Sequence, residues 1–335
     1  MLMVVVLHIL GQGGLLDAVS APSLRHTLCW LLLAGAYCAV DCYAMISGYV
    51  GTGRKFRPSG IVLVWLRVVF YTLIITTVAL FAIPGLIGPR HYLNAVFPVM
   101  TKQYWYVTSY FCVFFFMPFL DAGMESLSKK VSTLLLAVLT ALLTLLPFIF
   151  GADPFSKGGG YTPFWLIYLY LLGAYLRKYE LLKKLRGIKA FVGYVVFTLI
   201  TAGVKLAGER ISLPFDGGML YNYSSLTVLA ASVCLLGLFA GLRTGEKSGR
   251  FISFISPTAL SVYLIHAHPI VWGYVLTGLF APLAKLRAPL CALAVLGCAA
   301  AVCIVCCAFD LLREGLFRLL KLKQRLGALE AKILK

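Results

Sequence analysis

MLMVVVLHILGQGG, residues 1–14, is an apolar run that carries one ionisable side chain, His8, and breaks at Gly11, Gly13 and Gly14. Runs of the same character recur to the far end of the chain, so its reading as a membrane segment sets the class of the whole. A histidine inside such a run must be desolvated or find a partner, and both cost free energy. Ionisable groups facing the interior of a membrane bundle mark functional sites by default. The competing reading is a hydrogen bond that glues two helices together. The stretch alone leaves both open. It lacks the basic n-region and small-residue cleavage site of a secretory signal peptide, so it reads as a first span.

The composition points the same way. Of 335 residues, 61% are hydrophobic and 13% charged, against roughly 25% charged in a soluble domain. Apolar runs of about 20 residues are long enough to cross a hydrocarbon core of ~30 Å. The expected fold is all-α, a polytopic membrane protein with about ten transmembrane helices. They are placed at 1–16, 27–50, 61–83, 104–120, 131–150, 162–177, 188–206, 219–241, 252–279 and 288–310. A piece at 92–100, broken by Pro98, reads as re-entrant or interfacial. One membrane-embedded domain, 1–310, is expected, followed by a basic amphipathic tail helix, 311–335. In that tail Leu312, Leu316, Leu319, Leu322, Leu326, Leu329 and Ile333 recur at three or four, and Lys and Arg fill the other face. Such a helix suits an anionic lipid surface, so membrane lipid is an expected partner.

The net charge of +18 does not signal nucleic acid, because of where the charges sit. Lys and Arg crowd alternate loops, at 54–57, 129–130, 177–189 and 243–250, and the tail. The intervening loops hold only Arg25, Arg90, Lys102, Lys157, Lys205, Arg210, Lys285 and Arg287. By the positive-inside rule this places both termini in the cytoplasm of a multi-pass protein of the cell membrane. The ten cysteines all fall inside apolar runs, which gives no disulfide framework to read. Cys303, Cys306 and Cys307 share a helix face inside an apolar run with no histidine on it, so they read as packing residues. No metal site is expected.

Five places carry polar groups at membrane depth. They are His8; Asp41 with Ser47 and Tyr49 in AVDCYAMISGYV; Arg67 in VLVWLRVVFY; Asn222 in NYSS; and Tyr263 and His266 in SVYLIHAHPIVW. A carboxylate such as Asp41 is expensive there unless paired or facing water. Arg67 has the alternative of snorkelling to the inner interface. His266 and His268 are two apart, so on a continuous helix they face different ways and do not share a cavity. They also lack the i, i+4 spacing of a helical zinc pair. Asn222-Tyr223-Ser224 also fits a glycosylation sequon.

In order and spacing these stretches resemble the acyltransferase 3 family of bacterial integral-membrane O-acyltransferases. The resemblance runs through LHILGQGG, VDCYAMISGYV, VWLRVVFY, YWYVTSYFCVFFFMPFLD, TPFWLIYLYLLGAYLRKYE and LSVYLIHAHP, over nearly the whole chain. It implies an acyl donor such as acetyl-CoA on the cytoplasmic side and, as acceptor, a sugar hydroxyl of a glycan or lipid-linked sugar. It also implies that His8 is the catalytic histidine, with an arginine about eleven residues before it, a position ahead of Met1, so that either residues precede Met1 or another arginine substitutes.

The residues themselves support a mechanism of that kind. A neutral imidazole can take the proton of a sugar hydroxyl as it attacks a thioester. Asp41 is a candidate to orient a histidine. Ser47, Tyr49, Asn222 and Tyr263 are candidate donors to the tetrahedral oxyanion, and His266 is a further substrate contact. Arg67 offers a guanidinium to the donor's phosphates. The rival reading is a non-enzymatic carrier for a polar solute, its cavity lined by His8, Asp41, Arg67 and His266. The absence of an internal repeat counts against it.

Overall fold

The computed structural model describes residues 1–211 and 217–333. Every regular element among them is helical. The chain divides into two compact units, one made of Met1–Ser20, Lys55–Phe111 and Thr244–Lys335, the other of Ala21–Arg54 and Cys112–Arg243. In chain order the first half holds α1 (Leu2–Leu10), α2 (Leu15–Ala18), α3 (Leu24–Tyr37), α4 (Ala39–Gly51), α5 (Pro58–Ala82), α6 (Pro89–Val96), α7 (Trp105–Ser126) and α8 (Lys129–Thr140). The remainder holds α9 (Leu146–Phe150), α10 (Pro163–Lys178), α11 (Ile188–Gly208), α12 (Leu226–Ala240), α13 (Glu246–Ile255), α14 (Ala259–His266), α15 (Pro269–Val271), α16 (Ala288–Leu319) and α17 (Leu322–Ile333).

Six helical stretches among the described residues are long and apolar enough to cross a membrane, or seven if one bent pair is a single span. By that measure the expected count of about ten is not confirmed, and the reasons are local. The first apolar run yields only the nine residues of α1, about 14 Å of helix, because the chain turns at Gly11–Gly14. Pro163 opens α10 and Tyr179 closes it after 16 residues. Ser225 caps α12, which ends at Gly241 after 15. The ninth run is broken, with Glu246–His266 and Pro269–Lys285 meeting at 56°. Pro269 explains the break, since the residue before a proline is pushed out of the helical region. His268 there is extended (φ −61°, ψ 135°) and its Nδ1 accepts the amide N–H of Ile270 as a helix cap.

In the first unit the glycines after α1 allow two loops to dock. Gly14 has φ +77°, and a Cβ on Gly13 would lie 2.3 Å from the Ile9 carbonyl oxygen and 2.7 Å from the Phe280 ring. The Gln12 carbonyl accepts from Gly278 N–H, the Gly13 carbonyl from Phe280 N–H, and the Gln12 amide donates to Thr277. The end of α1 is thereby held against the chain that follows α15. The long helix α16 does not stop where the tail was expected to begin but runs on to Leu319. After Lys321, at φ +52°, α17 folds back on α5, where Ser59 donates to Glu330. The last two residues of the expected tail, including Lys335, lie outside the described residues.

The second unit is organised by close approach of α4 and α10. A Cβ on Gly48 would lie 2.0 Å from the Tyr170 carbonyl oxygen, and one on Gly173 2.0 Å from that of Met45. Small residues let membrane helices meet backbone to backbone, where dispersion and polar contacts replace the hydrophobic drive. Thr133 and Thr140 of α8 bond the hydroxyls of Tyr175 and Tyr168 on α10, both at 2.6 Å. Lys178, a positive-inside residue by sequence, donates to the carbonyls of Met124, Glu125 and Leu127 and so closes the C-terminus of α7.

Candidate functional site

In the first unit His8 sits in the last turn of α1, half-buried, and His266 in the last turn of α14, 3% exposed. The His8 Nδ1 lies 2.8 Å from the His266 Nε2. The His266 Nδ1 lies 2.5 Å from the Val262 carbonyl oxygen. These two contacts fix the tautomers of the neutral rings. A carbonyl only accepts, so His266 carries its proton on Nδ1 and presents a lone pair at Nε2. His8 must then donate from Nδ1, which leaves the lone pair of its own Nε2 unshared within the pair. The Trp272 ring meets His8 edge-on at 4.4 Å and limits its rotation. The result is an oriented imidazole at the end of a short helix.

Around the pair lie further aromatic groups. Tyr104, 2% exposed, donates to the Leu264 carbonyl at 2.6 Å. Its ring stands 5.6 Å from Tyr263 and 6.1 Å from His268. Tyr263 is 6.3 Å from His266, so this expected site residue belongs to the histidine cluster. His266 and His268 do not sit on one continuous helix as the sequence suggested. The break at Ala267 leaves both rings buried, one toward His8 and the other toward Tyr104.

Arg67, also in the first unit, is pinned by donation from Nη1 to the Pro257 carbonyl at 2.9 Å. It lines a cavity of about 570 Å³ with Arg313, Arg318, Lys321 and Lys323. Behind that cavity is a buried network that sequence reasoning missed. Asp310, fully buried, accepts from the Tyr71 hydroxyl at 2.7 Å, the Ser261 hydroxyl at 2.5 Å, and Arg313 Nε and Nη2 at 2.8 and 2.9 Å. Arg313, counted by sequence among the solvated tail cations, is 2% exposed. The signal available was an acid three residues before an arginine at the end of an apolar run, the spacing of one helix face.

The second unit holds the other expected residues. Asp41 is fully buried on α4 and its Oδ1 accepts the indole N–H of Trp165 at 3.0 Å. Its Oδ2 has no partner among the described residues. Trp165, not a histidine, is thus the group to which Asp41 is tied. Ser47 spends its hydroxyl proton on the Tyr43 carbonyl one turn back. The Tyr49 ring is covered by the Arg177 guanidinium at 5.4 Å. Asn222 donates to the Met219 carbonyl and accepts from Ser224, so the sequon is folded into a local network. Asn222 also borders a cavity of about 470 Å³ walled by Phe148, Ile200 and Val204, with the Lys157–Asp153 ion pair (2.8 Å) in its lining.

Among the described residues no cluster of three or more His, Cys, Asp or Glu side chains is placed to hold a metal ion. No curated protein and no solved structure matches the chain with significance. A family profile described as an acyltransferase domain, that of the acyltransferase 3 family, matches residues 1–309. His8, His266, Arg67 and Asp41 all fall within it. With more than nine-tenths of its length matched, the chain belongs to the acyltransferase 3 family and is a multi-pass membrane acyltransferase.

Proposed function

We propose that the protein moves an acyl group, acetyl in particular, from cytoplasmic acyl-CoA to a hydroxyl of a cell-envelope glycan or lipid-linked sugar. It does so in the cell membrane, with both termini cytoplasmic. The observation that carries the reading is the 2.8 Å contact between His8 and His266, which leaves the His8 Nε2 as a base. Family membership supports acyl transfer over the carrier reading.

In this mechanism the His8 Nε2 takes the proton of the acceptor hydroxyl as its oxygen attacks the thioester carbonyl. The tetrahedral intermediate collapses by breaking the carbon–sulfur bond. The thiolate of CoA leaves and takes up the proton held on His8, which restores the neutral ring. His266 is a positioning residue: its Nε2 accepts from His8 and steadies the imidazolium that forms. Arg67 engages the donor's phosphates, for which a planar guanidinium is well shaped. In the second unit Asp41 is fully buried and accepts the indole N–H of Trp165, so we assign it a structural role there rather than a contact with substrate.

Mass spectrometry of envelope glycans from cells with and without the protein tests this directly. An acyl mass increment on a sugar that depends on the protein is the expected result. Identical glycan and glycolipid profiles, with the protein present in the membrane, would contradict it.

A further inference from the structure

The cavity beside Arg67 is framed largely by residues that the family match leaves out. Its lining includes Arg67 from α5 and Arg313, Glu314, Arg318, Lys321 and Lys323 from the C-terminal segment, whereas the match ends at residue 309. Five cations and one carboxylate thus face about 570 Å³, a volume in the range of small-molecule sites.

The cations differ in how they are held. Arg313 is committed, with Asp310 on Nε and Nη2 and Glu314 on Nη1 at 2.9 Å. Arg318 reaches the same Glu314 at 3.2 Å. Arg67 touches a carbonyl, which does not neutralise its charge. Lys321 and Lys323 have no carboxylate within ion-pair distance among the described residues. Nor are they free to drift. Lys321 stands at the left-handed turn between α16 and α17, and α17 is tied to α5 through Ser59 and Glu330. Leu326, Leu329 and Ile333 line a cleft there with Pro58 and Val62. Like charges gathered in this way repel one another unless an anion joins them.

We infer that Arg67, Arg318, Lys321 and Lys323 form a receptor for a phosphate- or diphosphate-bearing anion, with the Asp310–Arg313 pair as its rigid floor. Arg67 supplies a planar fork for two oxygens and the lysines act as point charges. Two sources share this chemistry: the phosphates of an acyl-CoA donor and the headgroup of an anionic phospholipid. Assignment to the donor rests on the acyl-CoA reading above; anion binding does not.

The test uses the full chain in nanodiscs of phosphatidylcholine. Calorimetric titrations with inorganic diphosphate, coenzyme A and pantetheine are compared between the wild type and Lys321→Glu/Lys323→Glu. Both lysines are exposed, so the reversal leaves the fold intact, and Lys321→Arg/Lys323→Arg serves as the charge-retaining control. Losing two charge-assisted contacts should weaken diphosphate about tenfold or more, with the arginine control close to wild type. A parallel loss for coenzyme A, with pantetheine unchanged, identifies the donor as the source. Unchanged coenzyme A affinity, with diphosphate displaced from the wild type by phosphatidylglycerol in the disc, identifies the headgroup. Diphosphate affinity that is equal in wild type and the Glu variant, or absent from both, overturns the receptor. A chain that transfers no acyl group but shows the charge-dependent loss would sink the acyl-CoA reading and leave the anion site standing.

Discussion

The His8 Nδ1 and the His266 Nε2 meet at 2.8 Å although 258 positions separate them in the chain. The Val262 carbonyl, one turn before His266, decides which nitrogen of each ring bears a proton. A backbone carbonyl on one helix therefore sets the tautomer of a side chain on another. The orienting partner of His8 is a neutral ring rather than a carboxylate.

That arrangement gives His266 a distinctive mutational signature. His266→Gln places an amide oxygen where Nε2 accepts, so it should keep a large part of the turnover. His266→Ala removes the acceptor and should lower kcat by about 10- to 100-fold, the worth of one hydrogen bond to a charged ring. The donor KM should stay within twofold in both. Equal kcat in Gln and Ala variants, or a change confined to KM, would remove His266 from the positioning role.

Gly13 offers a test of the loop docking that holds α1. Gly13→Ala puts a methyl group 2.3 Å from the Ile9 carbonyl oxygen and against Phe280. Overpacking of this kind costs about 1–3 kcal/mol, so the melting temperature in detergent should fall and activity with it. Gly60→Ala, with nothing within 4 Å of its Cβ, is the control and should melt like wild type. A Gly13→Ala protein as stable as the control would mean that the docked loops do not hold α1.

Asp41 and Trp165 make a matched pair of expectations in the second unit. Asp41→Asn keeps the oxygen that accepts the indole N–H, so the variant should insert and melt near the wild type. Asp41→Ala strands a buried donor at a cost of about 1–3 kcal/mol. Thermal melts followed by tryptophan fluorescence separate the two. If Ala melts as high as Asn, the Trp165 bond contributes nothing to the unit.

Orientation can be read with an impermeant thiol reagent. In a cysteine-free background, single cysteines at Ser156 and at Arg54, both exposed, should label oppositely in intact cells, position 156 reacting and 54 not. The reverse pattern would invert the assignment of the termini to the cytoplasm.

Some of this architecture is legible in the linear sequence and some is not. Apolar runs mark nearly every helix, because burial in lipid imposes composition on each segment independently. His8 stands out for the same reason. Its pairing with His266 does not, since a contact between distant helices leaves no periodicity in either. The break at Pro269 was visible in principle, yet hydropathy averages over a kink and reported one continuous span. Arg313 escaped because a basic residue beyond an apolar run looks solvated until Asp310 is found on its face of the helix. The glycines beside His8 announced a turn, but not that a second loop, Gly278–Phe280, would come to rest on it.

The central claim is that the imidazole of His8 is a base, and His8→Gln set beside His8→Ala tests it most directly. Acyl transfer to envelope glycans would be measured by mass spectrometry in cells holding equal amounts of each protein in the membrane. Loss of a general base lowers rate by about 10²–10⁴, whereas one hydrogen bond between membrane helices averages only ~0.6 kcal/mol. Both variants should therefore insert and melt like the wild type, and both should be inactive to the same degree, because an amide keeps the bond to His266 but cannot take a proton at neutral pH. Wild-type turnover in the glutamine variant would show that His8 only ties α1 to α14, and would contradict the account.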